Sequence, residues 1–140
     1  MSSRLSITLL AMLLFFNTLT MAKNSNQYSL TNETYKALVT TQQLMFKEQY
    51  SKAEIQLLGL LKRTNAGSYD EAMVKQMLGY AYSSQEQYQK AITEFEQVLA
   101  LRVLSETVSH SLRYNLGQLL LIEEEYSKGV KMLEQWFSGE

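Results

Sequence analysis

A six-residue motif recurs three times in this chain at a fixed interval, which few folds can accommodate. Glu48-Gln49-Tyr50-Ser51-Lys52-Ala53 returns as Glu86-Gln87-Tyr88-Gln89-Lys90-Ala91 and again as Glu124-Glu125-Tyr126-Ser127-Lys128-Gly129, each copy 38 residues after the last. Repeat periods of roughly 20–50 residues mark folds in which one supersecondary unit is stacked on the next, because a single unit cannot bury its own apolar face. The same offset aligns Leu57, Phe95 and Leu133, then Leu60, Val98 and Trp136, then Leu61, Leu99 and Phe137. Within each copy these residues fall on one face of a helix. Upstream, Leu44, Tyr82 and Leu120 align, as do Thr41, Gly79 and Gly117, where a small residue lets two helices approach closely.

Composition fits helices. The chain has no proline and only 6 glycines in 140 residues, too few turn formers for a loop-rich or all-β fold. First helices are predicted over residues 34–47, 70–84 and 106–123, and second helices over 51–63, 87–102 and 127–137. Asn65-Ala66-Gly67-Ser68 is the clearest break, since Asn and Gly end helices and Ser caps the next.

Residues 78 to 95 resemble the tetratricopeptide repeat (TPR) family, with Leu78-Gly79 and Tyr82 on a first helix and Tyr88, Ala91 and Phe95 on a second. Leu116-Gly117, Leu120, Tyr126, Gly129 and Leu133 match more loosely in the third repeat, and Leu44, Tyr50, Ala53 and Leu57 match in the first. The period of 38 is longer than that family's, and its closing proline is absent. The resemblance implies an all-α, TPR-like right-handed superhelix of three helix-turn-helix hairpins over residues 34–140, with repeats at about 34–68, 69–105 and 106–140. It also implies an inner groove lined by first helices, for a protein or peptide partner. Carried over, the groove positions are Tyr35, Leu38, Val39 and Gln42; Met73, Gln76, Met77 and Tyr80; and Ser111, Tyr114, Asn115 and Gln118. Such a lining is uncharged and suits a neutral segment rather than a carboxylate terminus. The competing assignment of the same Met and Tyr residues is core packing, which is how Tyr82 and Tyr88 are read.

Nothing in the residues points to catalysis, a cofactor or a metal. Cysteine is absent, which removes disulfides, thiolate ligands and a thiol nucleophile. The one histidine, His110, is expected to be solvated or capping, and the single aspartate, Asp70, to favour a helix N-terminus. Glu123, Glu124 and Glu125 point in different directions if helical and are read as a solvated turn. Acidic residues interleave with the basic ones and the formal charge is −1, so nucleic acid is not expected as a partner.

Two ends of the chain carry separate expectations. Arg4, the apolar run of residues 5–16 and the small Thr20 and Ala22 read as a signal peptide over 1–22, cut after Ala22. An uncleaved anchor is the alternative. Residues 23–33 read as a flexible leader, and no membrane span is expected after cleavage. At the other end, Val130, Leu133, Trp136 and Phe137 form a stripe expected to be exposed, where a solenoid usually carries a polar cap. Either a partner or a second copy covers it, making a homo-oligomer, or the chain continues.

The wording Thr34-Tyr35-Lys36-Ala37-Leu38, Gln76-Met77-Leu78-Gly79-Tyr80-Ala81-Tyr82 and Ser111-Leu112-Arg113-Tyr114-Asn115-Leu116 is similar to exported TPR proteins encoded beside TonB systems of Gram-negative bacteria. That similarity implies a periplasmic scaffold supporting TonB-dependent iron-siderophore uptake through TonB, ExbB or ExbD. A periplasmic adaptor for envelope or cell-wall assembly requires the same fold and stays open.

Overall fold

A computed structural model describes residues 28–139. The predicted signal peptide and its cleavage site lie outside the described residues. Six α-helices and no strand are present among them: α1 (Asn32–Phe46), α2 (Tyr50–Leu61), α3 (Tyr69–Ser84), α4 (Tyr88–Leu101), α5 (Glu106–Ile122) and α6 (Tyr126–Ser138). They pair as three hairpins, α1/α2, α3/α4 and α5/α6, each packed on the next. None of these helices is long and apolar enough to cross a membrane.

The repeated motif has a backbone cause. Glu48, Glu86 and Glu124 all sit in the left-handed region, at φ of 56°, 60° and 63°. The amide of the following residue (Gln49, Gln87, Glu125) donates to the carbonyl of Leu44, Tyr82 and Leu120 at 2.9, 2.9 and 2.8 Å. The Glu amides donate to Met45, Ser83 and Leu121. This is a Schellman closure, which satisfies the last carbonyls of one helix and turns the chain directly into the next. First helices start differently: Thr31, Ser68 and Ser105 each cap through a side-chain oxygen that accepts from the amide three residues on.

Small residues set the hairpin spacing. A Cβ on Gly79 would overlap the Phe95 ring, and one on Gly117 would lie 2.8 Å from the Leu133 side chain. Gly129 faces Leu121 and the Gly117 carbonyl in the same way, so the two helices of hairpin 3 touch through glycine on both sides. Around these crossings Leu38, Leu57, Met73, Leu78, Phe95, Leu112, Leu116 and Leu120 form one continuous core.

The end of the expected leader, residues 28–33, is docked rather than loose. The Tyr28 ring lies 5.9 Å from that of Tyr69, and Leu30 packs against the core. The buried Asp70 carboxylate accepts from the Thr31 amide at 3.0 Å, the Thr31 hydroxyl at 2.7 Å and the Thr34 hydroxyl at 3.1 Å. Asp70 therefore does more than complement a helix dipole. It ties the start of α1 to the start of α3, and α1 begins at Asn32.

Candidate functional site

Residues 38 apart occupy equivalent places, so their exposure shows which face of each hairpin a neighbour covers. On the first helices, Asn32, Lys36, Thr40 and Gln43 are exposed. Their equivalents in α3 (Asp70, Val74, Leu78, Ala81) and in α5 (Val108, Leu112, Leu116, Leu119) are all buried. Hairpin 1 alone has nothing before it among the described residues, so this set faces the preceding hairpin.

A second set faces the following hairpin. Thr34 and Ala72 are buried where His110 is half-buried; Leu38 and Gln76 are buried where Tyr114 is half-buried; Gln42 and Tyr80 are buried where Gln118 is half-buried. On the second helices Leu60 and Val98 are buried while Trp136 is partly open. Ile92 is 4% exposed and its equivalent Val130 is 49% exposed. Tyr126 and Phe137 are also exposed, at 60% and 87%.

The polar contacts follow the same logic. Gln76 Nε2 donates to the Tyr80 hydroxyl at 3.4 Å, and Asn115 Nδ2, from the next hairpin, donates to the same oxygen at 3.2 Å. Burial pushes the Tyr80 hydroxyl pKa up, against those two hydrogen bonds. In hairpin 3 the equivalent pair is kept with its members exchanged, Gln118 Nε2 donating to the Tyr114 hydroxyl at 3.0 Å.

Together His110, Tyr114, Gln118, Tyr126, Val130, Trp136 and Phe137 make an open face at the C-terminal end of the stack. Trp136 is its centre, with its ring 4.8 Å from Tyr114 and 5.5 Å from His110. His110, expected to be solvated or capping, is thus an aromatic neighbour of Trp136. The predicted stripe divides: Val130 and Phe137 are exposed, while Leu133 turns inward against Gly117 and is only half-buried.

Most positions of the expected inner groove are covered in the structure. Leu38, Met73, Gln76, Met77 and Tyr80 are all 5% exposed or less, and Gln42 and Asn115 are buried as well. Side chains this deeply buried present no surface to a partner. Tyr35 is 44% exposed, Val39 and Ser111 are half-buried, and Tyr114 and Gln118 belong to the open face of hairpin 3. The transferred positions therefore do not form one continuous lining.

Elsewhere a cleft of about 510 Å³ lies between α4, α5 and α6, with Leu99 and Met132 on its walls and Arg102 and Arg113 at its rim. Glu106 pairs with Arg113 at 3.1 Å, both residues lying on α5 and lining it. Among the described residues no three His, Cys, Asp or Glu gather as metal ligands. Glu123 accepts from Gln89, Glu124 carries the left-handed turn, and Glu125 pairs with Lys128, so the acidic run is divided among three separate structural tasks.

Comparison with family models, curated proteins and solved structures finds no match to this chain.

Proposed function

We propose that the chain is a protein-binding scaffold of the TPR type, with its three hairpins wound as a right-handed superhelix, and that it catalyses no reaction. The observation that carries this reading is the open face of hairpin 3. An aromatic and apolar surface of this kind, continuous with the interior contacts of the stack, is chemistry for binding protein.

The setting we infer is the periplasm of a Gram-negative bacterium, reached through the signal-peptide pattern of residues 1–22, and the partner is a component of a TonB system. The support is the motif wording around Tyr35, Tyr80 and Tyr114. The test is retention of the periplasmic part of TonB by the immobilised chain, beside a Val130→Asp, Phe137→Asp double variant whose helicity is checked by circular dichroism. Retention by the parent and its loss in the folded variant are expected. If the parent retains no TonB, direct contact with TonB is wrong. If it sediments as a stable dimer instead, the homo-oligomer reading takes its place.

A further inference from the structure

The occupant of the open face can be specified from the two interfaces already inside the molecule. In hairpins 1 and 2, the positions equivalent to His110, Tyr114, Gln118 and Trp136 are covered by the hairpin that follows. That hairpin presents its first helix, through residues at spacings of four, four and three: Val108, Leu112, Leu116 and Leu119 in α5, with Asn115 reaching back to the Tyr80 hydroxyl. We infer that the open face of hairpin 3 binds one amphipathic α-helix of a partner protein, seated as α5 sits on hairpin 2.

The chemistry required of that helix follows from what it would meet. Val130 replaces Ile92 and Trp136 replaces Val98, so the apolar stripe is retained and enlarged by an indole. The Tyr114–Gln118 pair stands where Tyr80 and Gln76 receive Asn115, and calls for one amide or hydroxyl among the apolar residues of the partner. A second copy of this chain offering its own N-terminal face does not meet the requirement. The equivalent positions of α1 are Asn32, Lys36, Thr40 and Gln43, and covering Lys36 would bury an unpaired ammonium. Head-to-tail polymerisation is thereby disfavoured, while a helix bearing aliphatic residues at those spacings is accepted. This inference rests on the scaffold reading and gives its partner a shape.

Trp136 is the only tryptophan in the chain and lies in the middle of the face, so its emission reports docking directly. The probe is a synthetic peptide of residues 106–122, the helix that covers the equivalent face of hairpin 2, titrated into the full chain. A saturable blue shift is expected. Val130→Asp should weaken the midpoint at least tenfold, and a peptide of residues 32–46, with its polar face, should bind at least tenfold more weakly than the α5 peptide. Neither peptide contains tryptophan. Absence of a saturable shift, or equal response to the two peptides, overturns the inference. So does a red shift, which would mean that the peptide displaces the native α5 and exposes Trp136. If the peptide fails while TonB is still retained, the scaffold reading survives and only helix docking falls.

Discussion

The two ends of the stack are built from the same repeat and have opposite surfaces. At the N-terminal end, the positions that interior hairpins use for packing hold Asn32, Lys36, Thr40 and Gln43, so the first hairpin meets water with polar groups. At the C-terminal end the corresponding outward positions keep Tyr114, Val130 and Trp136, with Phe137 beside them. Side-chain chemistry alone makes one end polar and leaves the other apolar, because helix geometry and turn type are shared. In a solenoid, uncovered apolar repeats need either polar substitution or a partner, and this molecule shows the first solution at one end and not at the other.

The sharpest way to break that contrast is a matched pair at one register. Ile92→Asp places an unpaired carboxylate in the hairpin 2–hairpin 3 interface and should cost about 4 kcal/mol or abolish folding. Val130→Asp, at the fifth residue of the equivalent helix, should cost about 0.5–1 kcal/mol, mostly the burial lost by a half-covered side chain, since Val and Asp have similar helix propensities. Urea denaturation followed by circular dichroism measures both. Similar losses would mean that the C-terminal face is covered after all.

Next in size is the hairpin crossing itself. Gly79→Ala forces a methyl into the Phe95 ring and should cost about 2–3 kcal/mol. Gly59→Ala, on a helix with nothing within 4 Å, should instead stabilise by about 0.5–1 kcal/mol. Thermal unfolding of the two variants places the close approach in the stack rather than in the glycine count.

A smaller effect concerns pH and the tyrosines inside the stack. Burial, followed by the nearby carboxylates of Glu54 and Glu94, pushes the Tyr82 pKa up to about 12, and burial does the same for Tyr69. Their folded pKa values exceed the ordinary value of 10, so the unfolded chain ionises first. Their contribution to stability is complete below pH 10 and is lost as the pH rises towards 12. Denaturation midpoints measured from pH 9 to 11.5 should fall, and Tyr82→Phe should flatten the slope.

The smallest expected change lies in the turns. Replacing Glu48, Glu86 or Glu124 by Gly relieves a left-handed conformation that L side chains adopt at a cost. Glycine also adds disorder to the unfolded chain, so each change should stabilise by only about 0.5 kcal/mol. Equal gains at the three turns in thermal melts would show that they are energetically interchangeable, unlike the two ends.

Much of the fold was legible because its causes are local. The 38-residue offset, the missing proline and the helical spacing of apolar residues placed all six helices within about two residues of where they lie. Motif residue Glu86 marks a Schellman turn, although a charged residue at a left-handed position gives little sign of itself in a sequence. The docked segment from Tyr28 to Thr31 was missed because its partners, Tyr69 and Asp70, are some 40 residues away. The site was legible in part. Val130 and Phe137 stood out as apolar and uncapped, whereas Met73, Met77 and Tyr80 could be groove or core with equal regard to spacing.

The sequence by itself determined the repeat, the helices and the small residues at their crossings, because these depend on periodicity and on backbone preferences within one hairpin. Only the tertiary structure decided which helix faces meet a neighbour. Facing is a property of how one hairpin sits on the next, so positions of identical spacing, such as Gln76 and Tyr114, become interior in one hairpin and surface in another.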